Sequence, residues 1–169
     1  MQSYLGPSAL SAFRFDKLKM RLSSIDNRVE LRGAMFLHCL NLEQALDSQE
    51  KLVVNRLLTY GPLTDKTPEN VSNSPLTSLF VFPRLGTVSP WSSKATDIFK
   101  SCCIEKITRV ERGIVYFLKM PTDLPRASHI DITSCLHDRM TESVFSDKGE
   151  IKFIFGSSTP RSFSSIDLL

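Results

Sequence analysis

The sequence predicts an α+β fold made of two similar halves around one core, and three observations lead there. Apolar residues recur at helical spacing in some stretches and alternate or run together in others. These stretches follow one another as helix, strand, helix, and the same order returns after a polar loop. Two strand-like runs also resemble each other, Val29-Glu30-Leu31-Arg32-Gly33-Ala34-Met35-Phe36-Leu37 and Arg109-Val110-Glu111-Arg112-Gly113-Ile114-Val115-Tyr116-Phe117. Each places Arg-Gly where a mixed stretch turns apolar, and the two pairs lie 80 positions apart. Such a long period indicates a duplicated subdomain rather than a solenoid. Chance likeness of two strands is the alternative, and the matching helix order on both sides weighs against it.

The first half, about residues 1–63, begins with a helix from Ser8 to Leu22. Leu10, Phe13, Leu18 and Leu22 form its apolar stripe and Ser8 its cap. A strand follows from Val29 to Leu40, and Gly33 within it suggests a bulge or a close backbone approach. Ser48 caps a second helix through Leu58, ended by Tyr60-Gly61-Pro62. Thr64 to Pro75 has two prolines, two asparagines and no period, and reads as a loop.

The second half, about 76–155, starts with a short strand from Leu76 to Phe82 and a turn at Pro83-Arg84-Leu85-Gly86. A helix over Pro90 to Cys102 and a strand over Ile107 to Leu118 come next. Leu136, Met140 and Val144 at i, i+4, i+8 predict a helix from Ile132 to Phe145, and Ile151 to Phe155 an edge strand. Residues 156–169 read as a linker. Each half thus has about three strands and two helices, with helices covering the apolar face of a sheet. Mixed or antiparallel sheets are preferred to parallel ones because the bulged strands are long enough to bend. The halves are expected to pair sheet to sheet or helix to helix about an approximate twofold axis.

The chain has 169 residues, 41% of them hydrophobic and 23% charged, with a net charge of +3 from interspersed acids and bases. That balance gives no general drive toward nucleic acid or membrane. No apolar run has the roughly 18 residues of a membrane span, and the first residues lack the features of a signal peptide. Cys39, Cys102, Cys103 and Cys135 have no C-x-x-C spacing and read as buried thiols of a cytoplasmic protein, ahead of a metal site or a disulfide.

The chain contains neither of the glycine-rich phosphate-binding motifs and no nucleophile elbow. His38, His129 and His137 lack metal-ligand spacing. His137-Asp138-Arg139 has the letters of a kinase catalytic loop but lies inside the helical pattern, so a solvated face or a domain contact is the better reading. No catalytic or metal-binding residue is assigned. The polar run Gly86-Thr87-Val88-Ser89-Pro90-Trp91-Ser92-Ser93-Lys94-Ala95-Thr96-Asp97 is more specific. Ser89 followed by Pro90 is a strong helix start. Its free N–H groups, with Ser92, Ser93 and Lys94, suit an anion or the backbone of a neighbouring domain. An ordinary capped helix with Trp91 packed on the surface is the plainer alternative.

Pro83 to Ile98 resembles the signature of the N-terminal domain of large, single-chain phosphoribosylformylglycinamidine synthases. Arg109-Val110-Glu111-Arg112-Gly113 is similar to that family's Arg-x-Glu-Arg-Gly strand, and Leu136-His137-Asp138-Arg139-Met140-Thr141-Glu142 to its Leu-His-Asp-Arg-Met-x-Glu helix. Gly6 to Arg14 is similar to its opening. Leu85 stands where the family usually has proline, which loosens the turn.

The resemblance implies a PurS-dimer-like domain over residues 1–155, with two fused ferredoxin-like halves. It implies a parent enzyme that converts formylglycinamide ribonucleotide, ATP and glutamine to the amidine, with Mg and ATP held outside this segment. Synthetase and glutaminase domains of the same enzyme are the implied partners, and this segment carries neither the ATP site nor the glutaminase cysteine. Ser89, Trp91, Ser92, Ser93, Lys94, Thr96 and Asp97 match the signature, and Arg112 matches the strand motif. These residues are the expected face toward substrate or synthetase. A stand-alone binding module and a small enzyme using His137 or a cysteine are the rival readings.

Overall fold

The computed structural model describes residues 1–61 and 76–156. The predicted loop Thr64–Pro75 and nearly all of the predicted linker lie outside them. Strand β1 (Gln2–Ser8) comes first, followed by helix α1 (Ala12–Ile25), strand β2 (Glu30–Leu42) and helix α2 (Ser48–Leu58). Strand β3 (Thr77–Pro83), helix α3 (Pro90–Ser101), strand β4 (Ile107–Lys119) and helix α4 (Arg126–Leu136) repeat that order. Strand β5 (Glu142–Phe145) and a 3-10 helix over Lys148–Phe155 complete the described chain.

The five strands form one sheet in the order β1-β2-β4-β3-β5, antiparallel at every pairing. The α+β class and antiparallel sheet therefore agree with the sequence. The halves do not keep two separate sheets, however, and they also meet helix to helix, α1 against α4. They share one sheet along the long β2–β4 pairing, where Ala34 faces Tyr116, His38 faces Arg112 and Leu40 faces Val110.

Helices cover one face of this sheet in two mixed pairs. Leu22 of α1 and Ile132 and Leu136 of α4 pack with Ala34, Tyr116 and Leu118. Val54 and Leu58 of α2 pack with Phe99 of α3 over Leu40 and Val110. Each pair takes one helix from each half. Burying apolar area at roughly 25 cal/mol per Å2 across the sheet is what binds the halves into one body. Met35, Leu37, Val115 and Phe117 point to the other face, where Ile151 and Ile154 of the 3-10 helix cover part of them.

Several expectations change. Ser8 does not cap α1; it ends β1, a strand the sequence reading lacks, and Ser11 is the cap. Ser48 is the first residue of α2, and Asp47 caps it in a reciprocal capping box with Glu50. The helix expected to Phe145 stops at Leu136. Asp138 there accepts from the Met140 N–H at 2.8 Å, and the Arg84 N–H donates to the Thr141 carbonyl at 2.9 Å. The chain then pairs with β3, so the i, i+4, i+8 pattern was shared by a helix, a turn and a strand, and Met140 is exposed. His137-Asp138-Arg139 consequently lies after a helix end and not within a helix.

The segment Ile151–Phe155 belongs to the 3-10 helix, and its three-residue repeat puts Ile151 and Ile154 on one buried side. Cys39 is buried as expected, but Cys102 and Cys103 are exposed at the end of α3 and Cys135 is half-buried. The Arg-Gly pairs are not equivalent positions either: Arg32 is third in β2 and Arg112 sixth in β4. Gly33 does mark a bulge, since pairing shifts between Leu31 and Gly33. Gly113 instead allows a close approach, because a Cβ there would meet the Phe82 ring at 2.6 Å. Among the described residues, no helix is long and apolar enough to cross a membrane.

Candidate functional site

Alternation along β4 sends Arg109 and Glu111 to one face and Val110 and Arg112 to the other. Gly86, with φ of +80°, turns the chain from β3 toward α3 despite Leu85 in place of proline. The Ser89 hydroxyl accepts from the Ser92 N–H at 3.0 Å and donates to Glu111 Oε1 at 2.6 Å. Glu111 is fully buried, and its Oε2 accepts from Arg109 Nη2 at 2.9 Å. The Arg112 N–H donates to Oε1 at 3.2 Å, so both carboxylate oxygens are occupied. Arg109 spends its remaining donors on the carbonyls of Thr87 (2.7 Å) and Ile154 (3.2 Å) and on the Ser92 hydroxyl (3.4 Å).

Two further residues of the signature are used internally. The buried Ser92 hydroxyl donates to the Val110 carbonyl at 2.5 Å, and Thr96 Oγ1 accepts from the Val110 N–H at 3.0 Å. A helix running beside a strand thereby satisfies backbone groups that burial would otherwise orphan. Ser89, Ser92 and Thr96 are not the free donors expected from the sequence. They fasten α3 to β4.

Ser93, Lys94 and Asp97 are exposed, on the other side of α3. Trp91 is half-buried; it neither stands free on the surface nor is sealed in the interior. It packs against the apolar cluster of α2 and α3. With Leu57, Leu58, Tyr60, Lys94, Ala95, Ile98 and Phe99 it lines a groove of about 290 Å3 between the two helices.

Arg112 lies at one end of that region. Its guanidinium carbon sits 4.7 Å from the Trp91 ring centroid and 4.3 Å from that of Phe36, so the cation is flanked by two aromatic faces. Nη1 donates to the Tyr60 hydroxyl at 3.2 Å, and that hydroxyl lies 2.7 Å from His38 Nε2. Arginine can only donate, so the Tyr60 oxygen accepts from it, while donor and acceptor in the Tyr60–His38 pair follow the histidine tautomer. His38 Nδ1 is buried and meets no partner at full hydrogen-bond geometry among the described residues, although the Tyr4 backbone lies near enough to favour the protonated ring slightly.

Burial first, and the Arg112 charge second, push the His38 pKa down to about 4, so the ring is neutral at pH 7. An orphaned polar group of this kind costs about 1–3 kcal/mol. Gly6 closes over the ring, since a Cβ there would come within 2.5 Å of Cε1.

The structure thus joins Trp91 and Arg112 in one place and leaves Lys94 on its rim, while Ser93 and Asp97 remain apart from the slot. Sequence reasoning missed Phe36, His38 and Tyr60, which come from the first half, and the roles of Arg109 and Glu111. The pairing of His38 with Arg112 across β2 and β4 has no local signal. Glu111 was readable in principle, as an acid within a strand that alternates between two covered faces. Among the described residues no group of three or more His, Cys, Asp or Glu side chains is placed to hold a metal ion.

A family model described as formylglycinamide ribonucleotide amidotransferase N-terminal matches residues 35–155, from within β2 to the end of the 3-10 helix. It covers both the helix start at Ser89 and the slot around Arg112. The chain belongs to the formylglycinamide ribonucleotide amidotransferase N-terminal family.

Proposed function

We propose that this chain is the N-terminal assembly domain of a phosphoribosylformylglycinamidine synthase, the ATP- and glutamine-dependent ligase of de novo purine biosynthesis. In this reading residues 1–155 form a PurS-dimer-like domain, and ATP, Mg2+ and the glutaminase chemistry belong to other domains of the same cytoplasmic enzyme. The domain itself performs no step of the reaction. It docks on the synthetase and helps hold the synthetase and glutaminase together so that ammonia passes between them.

The observation that carries the docking role is the composition of the groove between α2 and α3. Trp91 is held there half-buried beside Ala95, Leu57 and Leu58, with Lys94 on the rim and Ile98 half exposed. A large, half-buried aromatic anchor is what interface cores use, and a charged side chain such as Lys94 suits the polar rim around it. The family match supports the identity of the partner, and Ser93 and Asp97 extend the same helix surface.

The experiment mixes this chain with a synthetase–glutaminase protein that lacks its own N-terminal region. Complex formation and restored glutamine-dependent turnover are expected with the native chain. Trp91→Ala should lower both at least tenfold and Lys94→Ala several-fold, whereas unchanged binding by both variants would reject this face.

A further inference from the structure

We infer that the slot formed by Phe36, Tyr60, Trp91 and Arg112 binds an oxyanion, either a carboxylate or a phosphate, on the free N–H edge of Arg112. This is independent of the docking reading, because it concerns a small-ligand site that the chain carries by itself.

The argument starts from the inventory of Arg112. Guanidinium has five N–H donors in a planar fork and stays charged at all physiological pH values. One nitrogen is committed to the Tyr60 hydroxyl, and among the described residues Arg112 forms no ion pair with a carboxylate. Arg112 is half-buried, and beyond the bond to Tyr60 its side-chain donors have no partner among the described residues. The Phe36 and Trp91 rings, 4.3 and 4.7 Å from its guanidinium carbon, hold the cation in place without using any of its N–H groups. A planar fork matches two oxygens of one carboxylate or phosphate.

The surroundings favour an anion and disfavour a cation. The neighbouring acid on β4, Glu111, is turned to the opposite face and saturated by Ser89 and Arg109. The next ionisable group across the sheet is His38, which is neutral and engaged through Tyr60. Lys94 lies on the rim of the adjoining groove, which shares Tyr60 and Trp91 with the slot and gives access from solvent. An oxyanion here would meet one fixed fork and one mobile ammonium, with no competing carboxylate among the described residues. The contrast with Arg109 is direct: that residue of the same strand has its donors bound to Glu111, Thr87 and Ile154.

Trp91 is the single tryptophan of the chain, so the site carries its own probe. The 169-residue chain is titrated with inorganic phosphate and, separately, with acetate, at constant ionic strength set by chloride. A saturable change in Trp91 fluorescence is expected with one or both, and the tighter ligand distinguishes a phosphoester source from a side-chain carboxylate. Arg112→Gln should abolish it, and Arg112→Lys, which keeps a charge but loses the fork, should weaken it at least tenfold. Lys94→Gln should weaken it only a few-fold.

A flat titration of the native chain with both ligands overturns the inference, and so does equal binding by a folded Arg112→Gln variant. If that variant does not fold, the native guanidinium NMR signal of Arg112 decides. It must shift with the same midpoint as the fluorescence, and an unmoved signal rejects the site.

Discussion

Arg109 and Arg112 lie three residues apart on β4 yet occupy opposite kinds of environment. Arg109 faces a buried carboxylate, and every group around it is paired: Ser89, Glu111, Thr87 and the carbonyl of Ile154. Arg112 faces aromatic rings, a tyrosine hydroxyl and a neutral histidine with an unpaired nitrogen. The first region is closed and holds the α3 start to the sheet. The second retains unused hydrogen-bonding capacity, which structural roles tend to eliminate and binding sites keep. Identical residue types in one motif thus separate into a fastening and a site, according to which face of the strand each occupies.

The largest effect should come from breaking the closed region. Glu111→Ala leaves the Arg109 charge half-buried without its partner and is expected to cost about 3–5 kcal/mol in denaturant unfolding. A loss below about 1 kcal/mol would mean that the Arg109–Glu111 cluster does not hold the α3 start.

The next prediction concerns pH. His38 has a folded-state pKa near 4, below its ordinary value of about 6.5, so the unfolded chain binds the extra proton first. Stability should therefore be level above pH 6.5 and fall between pH 6.5 and 4, by roughly 3 kcal/mol in total. His38→Gln should flatten that slope, while a slope equal to that of the native chain would assign the proton uptake elsewhere.

Smaller still, Ser89→Ala removes a helix cap and one hydrogen bond to Glu111 and should cost about 1–2 kcal/mol. Smallest of all, Arg112→Met should change stability by no more than about 1 kcal/mol, because among the described residues the fork makes a single hydrogen bond and two exchangeable aromatic contacts. If Arg112→Met destabilised as much as Glu111→Ala, the contrast between the two regions would disappear.

Most helices and strands were legible from apolar spacing. The readings of α2, α3 and β4 matched the observed spans to within a residue at their ends. The failures share one cause. Gln2–Ser8 pairs through its backbone with β2, and its side chains give no clean alternation. Glu142–Phe145 is strand only because β3 offers an open edge, and Lys148–Phe155 curls because Ile151 and Ile154 both find the second face of the sheet. Short elements of this kind are set by their neighbours rather than by propensity.

The Ser89–Asp97 run was recognised as special from sequence, but its division of labour was not. Serine and threonine hydroxyls can serve a ligand or their own backbone, and the letters are the same in both cases. By itself the sequence determined the α+β class, the duplicated order of helix and strand, and the family signature, because periodicity and local capping chemistry are properties of short stretches. Tertiary structure alone decided that Phe36, His38 and Tyr60 would meet Trp91 and Arg112. Strand register and the turn after α2 bring those residues together across the two halves, and no short stretch of chain encodes a distance between them.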